Sequence, residues 1–442
     1  MYNLYALYLL PKGEKAEYQL KTVNSNFMKI PTKNKIFGAL LGTIVEYYDY
    51  SLYGFSASVI AAKFFPSADL LTSLANAFAV YAVAYLAKPL GSIIFGRIGD
   101  CLGRKTALNI TIIGIVTPTV LIGLLPEYST LGVWSTIILV VCRFMQGVFI
   151  SAEYDGAAIY VIEHLGAKYK YTASAITRAT GVIGLLLGIW STNFFNSHIS
   201  LEWGWRVPFL LSLPLAIITL HYRRYLTETP DFKKTKSKTP LCNISSIFLK
   251  QWRTLLLVVL LAGGFGVTYQ VSIIFMKQYL PIVLLQTKPF ISIFSVLLVM
   301  CFGIAMPIAG LCADKFGKMI VIKISAYGAL IACVLLGVAI TKSMIGLALA
   351  ACLMLSVFVS PFNALAHGII IKLFPVNERY SCISLGHTIG SMLMSGSANY
   401  ICLMFMKSFG WHLFPIIYTA SSIVLFYVVI LIYEHKFKFA DS

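Results

Sequence analysis

Ionisable side chains stand inside stretches of this chain that are otherwise fit for hydrocarbon. In the apolar run that begins near Ile36, Glu46, Asp49, Tyr50 and Tyr53 fall at i, i+3, i+4 and i+7, one stripe of a helix. In the run that begins near Gly132, Arg143, Gln146 and Glu153 share a face, and Asp155 sits well round from it. Each such group costs a few kcal/mol, roughly, to insert, so it marks a place that meets charged cargo, a proton or a partner. Desolvation favours the neutral form of a buried carboxylate, and a nearby cation favours its charged form. That opposition makes a proton exchangeable when a cavity opens to water. Glu46 and Asp49 therefore read as proton carriers or solute-site acids, with structural pairing between helices as the alternative.

The elements that must position these groups follow from composition. Apolar residues make up 58% of 442 and charged residues 12%, against about 25% charged in a water-soluble domain. The surface is mostly lipid-facing, which disfavours soluble enzymes and nucleic-acid binders. A helix needs about 20 apolar residues to span a bilayer. About twelve such stretches occur, at 36–62, 72–97, 106–126, 132–162, 172–195, 206–222, 254–281, 289–311, 319–341, 344–372, 380–406 and 409–433. Their continuous runs, such as Leu255 to Leu261, lack the alternation of a membrane β-barrel. The fold class is all-α and membrane-integral. The expected divisions are an extension at 1–35 that lacks signal-peptide features, a half at 36–222, a linker at 223–253, a half at 254–433 and a tail at 434–442.

With the first residues inside, cytoplasmic segments hold 26 of the 35 Lys and Arg residues and the other side 5. This asymmetry puts both termini and the linker in the cytoplasm. It also accounts for the net charge of +18 without a polyanion partner. At about 1.5 Å per residue, Glu46 lies roughly 15 Å and Asp49 roughly 20 Å in from the cytoplasmic face, with Arg143 near the midplane. These three form the expected central site, Arg143 tuning the acids or meeting a carboxylate. Glu153, Asp155, Lys88 and Arg178 fall in the inner half and read as a gate or as structural pairs. Arg206, with Trp203 and Trp205, reads as an outer-interface anchor. Later in the chain, Tyr269, Gln270, Asn363 and His367 are the best polar candidates, although a lone His also suits a hydrogen-bonded interior. His387 and Asn399 rank below them. The faces of Tyr47, Tyr48, Tyr50 and Tyr53 suit a quaternary ammonium. Nine cysteines show no paired spacing and no cluster with His, so neither disulfide nor metal site is expected.

A repeat organises the spans. Gly96-Arg97-Ile98-Gly99-Asp100-Cys101-Leu102-Gly103-Arg104 follows the second and Gly310-Leu311-Cys312-Ala313-Asp314-Lys315-Phe316-Gly317-Lys318 the eighth. Both read G-x3-D-x2-G-[RK], which marks a duplicated six-helix unit. The two loops resemble the signature loop of the major facilitator superfamily. Further motifs resemble its metabolite:proton symporter branch: Glu46-Tyr47-Tyr48-Asp49-Tyr50, Lys88-Pro89-Leu90-Gly91, Arg143-Phe144-Met145-Gln146-Gly147, Ser151-Ala152-Glu153-Tyr154-Asp155-Gly156, Trp203-Gly204-Trp205-Arg206 and Glu228-Thr229-Pro230. Two positions depart from that branch: Lys88 stands where it usually has Arg, and Asp155 where it usually has Gly.

The resemblance implies two six-helix halves rocking about a central site, with spans one, four, seven and ten lining it. It implies a proton-coupled symporter for a small zwitterion such as proline or betaine, or alternatively for a carboxylate such as 2-oxoglutarate, citrate or shikimate, or an exchanger of the same fold. Tyr50, Tyr53, Arg143, Gln146, Tyr269, Gln270, Asn363 and His367 would then contact solute, and Glu46 or Asp49 would carry the proton. Lys88, Asp100, Arg104, Glu153, Asp155, Arg178 and Asp314 would gate, the two loop aspartates bracing the closed cytoplasmic side. The expected partners are solute, proton and lipid, for a monomer without cofactor or nucleic acid. No G-x4-G-K-[ST] loop points to ATP, and no HExxH grouping points to a membrane-embedded enzyme.

Overall fold

A computed structural model describes residues 33–67, 70–198, 203–235, 244–284 and 288–438. These residues form twelve helical passages. The first six are α1 Lys33–Phe55, α2 Leu70–Cys101, α3 Arg104–Leu124, α4 Val133–Leu165, α5 Lys170–His198 and α6 Ser212–Arg223. The second six are α7 Ile244–Tyr269, α8 Lys288–Phe316, α9 Lys318–Thr341, α10 Ile345–Ile370, α11 Arg379–Gly390 and α12 Phe414–Lys438. Ten of the passages are long and apolar enough to cross a membrane unaided; α1 and α6 are not among them. α1 carries Glu46 and Asp49, and it continues past a break at Ser56 as Ala57–Phe64. α6 continues the turn of helix Arg206–Leu210 through Leu211, whose backbone stays helical at φ −64° and ψ −17°.

Packing repeats with the duplication. α2 packs on α4 as α8 packs on α10, and α1 on α5 as α7 on α11. Across the halves, α5 meets α8 and α2 meets α11, again an equivalent pair. Small residues set the closest approaches: a Cβ on Gly147 of α4 would strike the backbone of Ala84 on α2. The repeated loop glycine also has a backbone cause. Gly103 and Gly317 sit at φ 107° and 93°, where a side chain would be strained.

Several boundaries differ from those expected. The expected linker at 223–253 contains the helix Pro230–Thr235 and the beginning of α7, while 236–243 lie outside the described residues. Of the expected extension at 1–35, residues 1–32 lie outside and Lys33 to Lys35 open α1. The expected tail from 434 begins within α12, and 439–442 lie outside. Trp205 and Arg206 also differ from a simple interface anchor. Trp205 is buried, and Arg206 donates to the carbonyls of Gly123 (3.1 Å) and Leu125 (2.7 Å), closing the C-terminal end of α3.

π-helical turns interrupt two passages. Gln270–Phe275 carries α7 on into Met276–Leu284, and Ser391–Ser395 carries α11 on into Gly396–Phe409. Such turns free backbone groups and concentrate at functional sites. Both of these border the central cavity, through Gln270, Ser391 and Ser395.

Candidate solute cavity between the halves

The cavity encloses about 90 Å³, room for a small solute or a few waters. Its charged lining is Glu46 from α1, Lys88 from α2, Asp155 from α4 and Arg178 from α5. Tyr47, Tyr50, Tyr85, Tyr154 and Tyr269 add aromatic faces, and Gln270 and His387 add polar groups from the second half. Lys88 Nζ lies 4.6 Å from the Tyr85 ring centre and 5.4 Å from that of Tyr50. The Arg178 guanidinium sits among the rings of Tyr154 (4.9 Å), Tyr47 (5.5 Å) and Tyr269 (5.6 Å). It donates to the Tyr47 hydroxyl and, across the halves, to Asn363 Oδ1 at 3.3 Å. Tyrosine faces hold a cation by their quadrupole and shield it from water. Glu46 is buried, and its Oε2 has no hydrogen-bond partner among the described residues.

The structure separates the expected trio of Glu46, Asp49 and Arg143. Only Glu46 is in the cavity lining; Asp49, Arg143, Gln146 and Tyr53 are absent from it. These form a buried relay within the first half. Arg143 Nη1 donates to Gln146 Oε1 (2.7 Å), Gln146 Nε2 to Thr119 Oγ1 (2.6 Å), and Thr119 Oγ1 to Asp49 Oδ2 (3.2 Å). The Arg143 guanidinium lies 4.3 Å from the Tyr53 ring centre. Asp49 is one turn beyond Glu46 but rotated about 60° from it, enough to face α3 instead of the cavity.

The expected inner cluster also divides. Lys88, Asp155 and Arg178 line the cavity with Glu46, whereas Glu153 forms an ion pair with Arg223 at the end of α6 and accepts a hydrogen bond from Thr111. Both partners of that pair belong to the first half, so it does not bridge the halves as a gate must. Arg223, counted in the sequence as a linker charge, is 1% exposed. His367, an expected solute contact, is absent from the cavity lining and turns to Asp155. Asp155 Oδ1 lies 2.7 Å from His367 Nε2 and 2.7 Å from His387 Nδ1, which joins α4 to α10 and α11. Linear spacing shows no such cluster. The fold assembles it by bringing Asp155 to two histidines more than 200 positions away.

Toward the signature loops the halves are sealed. Asp100 accepts the backbone N–H groups of Tyr380 (3.1 Å) and Ser381 (2.8 Å), at the first turn of α11. Asp314 accepts those of Tyr171 (3.1 Å) and Thr172 (2.8 Å), at the first turn of α5. Each loop aspartate thus caps a helix of the opposite half, where the helix dipole favours an anion. Arg104 donates to Gly99 O (2.8 Å) and across to Val376 O (2.7 Å) and lies 3.5 Å from Glu163, which also pairs with Arg379 at 2.8 Å. Glu228 caps α3 by accepting from the backbone of Arg104 at 2.9 Å. Nearer the opposite end, Gln270 Nε2 and the Tyr85 hydroxyl meet at 3.5 Å. We expect Asp100→Asn and Asp314→Asn each to weaken the seal by about 1 kcal/mol, roughly fivefold in the closed-to-open ratio. Spin labels on the exposed Arg97 and Lys372 positions would report this as a growing long-distance population; an unchanged distribution in the double variant would contradict it.

Comparison with known proteins agrees with this architecture. Residues 39–379 match the family model described as Major Facilitator Superfamily. Over 383 residues the chain is 31% identical to the proline/betaine transporter of Escherichia coli strain K12, covering 82% of this chain and 76% of that one. It is also 31% identical over 383 residues to the glycine betaine/proline/ectoine/pipecolic acid transporter of Dickeya dadantii, covering 82% and 75%. In fold it is similar to the proton:xylose symporter bound to 6-bromo-6-deoxy-D-glucose, with a TM-score of 0.75 at 16% identity over 90% of this chain and 94% of that one. With twelve helical passages in a duplicated arrangement around a polar cavity, and a family match over most of its length, the chain belongs to the Major Facilitator Superfamily of membrane transporters.

Proposed function

We propose that the chain is a proton-coupled symporter that imports a small zwitterion of the proline or betaine kind across a bacterial inner membrane, working as a monomer with both termini and the signature loops in the cytoplasm. The observation that carries this reading is the cavity lining. It joins two cations, Lys88 and Arg178, to the acid Glu46, whose Oε2 has no hydrogen-bond partner among the described residues, and to five tyrosine faces. A carboxylate meets Lys88 or Arg178, and an ammonium meets Glu46 and the rings. The names of the relatives support the same solute class.

In this reading the state described above is closed to the cytoplasm, and the halves 36–222 and 254–433 rock about the cavity. Glu46 takes a proton from the outer side and gives it up when the seal at Asp100 and Asp314 opens. Tyr269, Gln270 and Asn363 contact solute or hold its contacts in place, and Arg178 ties the cavity to the second half through Asn363. Asp49, Arg143, Gln146 and Tyr53 brace α1 against α3 and α4.

The test is uptake into proteoliposomes of radiolabelled proline, glycine betaine, 2-oxoglutarate, citrate and shikimate under an imposed inward proton gradient. One pH unit is about 1.4 kcal/mol, so one proton per solute gives about tenfold accumulation. Proline or glycine betaine should reach it and an uncoupler should abolish it. Accumulation of the carboxylates alone would overturn the solute class, and uptake indifferent to the uncoupler would overturn the coupling.

A further inference from the structure

Asp155, His367 and His387 do more in this fold than fill space between helices. Each offers one ligand atom, and these atoms all lie within 4.8 Å of one another. Asp155 and His367 are each 1% exposed at the side chain and His387 16%. Outer partners orient two of the three. Ser384 Oγ donates to Asp155 Oδ2 at 3.1 Å, and the Tyr154 hydroxyl lies 3.3 Å from His367 Nδ1. Asp155 and His387 also line the cavity.

We propose that these three side chains form a binding site for an imidazole-preferring divalent transition-metal ion, of which Zn²⁺ is the probe. Two imidazole nitrogens and one carboxylate with an open fourth position is the donor set of a tetrahedral zinc site. Metal-to-ligand bonds of about 2.0–2.1 Å place tetrahedral donor atoms roughly 3.3 Å apart, so the two 2.7 Å contacts to Asp155 widen by about 0.6 Å and the imidazole nitrogens, no more than 4.8 Å apart, close by at most about 1.5 Å, a shift of side-chain rotamers. The Tyr154 and Ser384 contacts are the outer-shell bonds that fix ring and carboxylate orientation in such sites. Charge does not forbid the ion: Lys88 and Arg178 in the same cavity are offset by Glu46 and Asp155. Because α4 belongs to one half and α10 and α11 to the other, a bound ion clamps the halves in the state sealed toward the signature loops. The ion is thus an inhibitor of the transport cycle and not its cargo.

Binding is measured on the full chain, purified with a tag free of histidine and stripped of metal by a chelator. Zn²⁺ is titrated against a competing fluorescent zinc indicator, with Mg²⁺ as control. The expected result is one Zn²⁺ per chain with an apparent Kd of about 10 µM or tighter, and none of comparable strength for Mg²⁺. His367→Gln and His387→Gln should each weaken it at least ~tenfold while eluting as monodisperse protein. In proteoliposomes, Zn²⁺ should block uptake by the unmodified chain and a chelator should restore it. Failure of the unmodified chain to bind stoichiometrically, or equal binding by both variants, would overturn the proposal and leave the cluster a hydrogen-bonded latch. Binding is read on resting protein, so its outcome is independent of which solute is carried.

Discussion

Glu153→Gln should destabilise the folded chain by about 3–5 kcal/mol, the cost of leaving a buried guanidinium without its counter-charge. Glu153 and Arg223 are both essentially sealed from solvent, at 0% and 1% side-chain exposure. Arg223 also donates to the carbonyls of Leu108 and Gly38, so it cannot swing out to water when the acid is lost. The neutral amide keeps shape and one hydrogen bond but leaves the positive charge in place. In a detergent-solubilised thermal melt the single variant should unfold far below the parent, or not be recovered at all. The double variant Glu153→Gln, Arg223→Met removes both charges and should recover most of the loss, since an apolar replacement of a buried pair is often neutral. If the double variant is folded and still transports, the pair is a brace within the first half. A single variant as stable as the parent would contradict the buried pairing.

Glu46→Gln should separate solute movement from the proton gradient. Gln fills the same volume at the cavity wall but cannot exchange a proton, so the driven arm of the cycle is lost while the cavity still opens to each side. Accumulation under one pH unit should fall from about tenfold to simple equilibration. Exchange of labelled for unlabelled solute, which needs no net proton movement, should persist. Asp49→Asn provides the contrast. Asp49 accepts from Thr119 outside the cavity, so its amide should retain gradient-driven accumulation at reduced stability. Reversed outcomes for the two variants would move the proton site from Glu46 to the buried relay.

Much of the fold is legible in the linear chain, and the reasons are physical. Twenty-residue apolar runs have one stable solution in lipid, so the helical passages can be read directly. The paired loops at Asp100 and Asp314 reveal the duplication because two copies need the same positive-φ glycine and the same capping acid. Less legible are the π turns at Gln270–Phe275 and Ser391–Ser395, which no apolar period announces. Depth along a helix groups Glu46, Asp49 and Arg143, but it does not give the direction each faces, and only Glu46 lines the cavity. Partners across long separations are hidden altogether. Nothing in the spacing links Glu153 to Arg223, or Asp155 to His367 and His387; the first pair meets because α4 and α6 both pack on α1 and α3, the second because α4 meets α10 and α11. Counting cations has a similar blind spot, because Arg104 and Arg223, counted as cytoplasmic charges, stand in buried pairs.

Proton movement on solute addition probes the central claim most directly. Vesicles containing the protein, lightly buffered and without any imposed gradient, are given proline or glycine betaine while the external pH is followed. The account predicts a transient external alkalinisation that tracks solute influx, disappears with an uncoupler and is absent in Glu46→Gln. Solute entering at the normal rate with no pH change would contradict it.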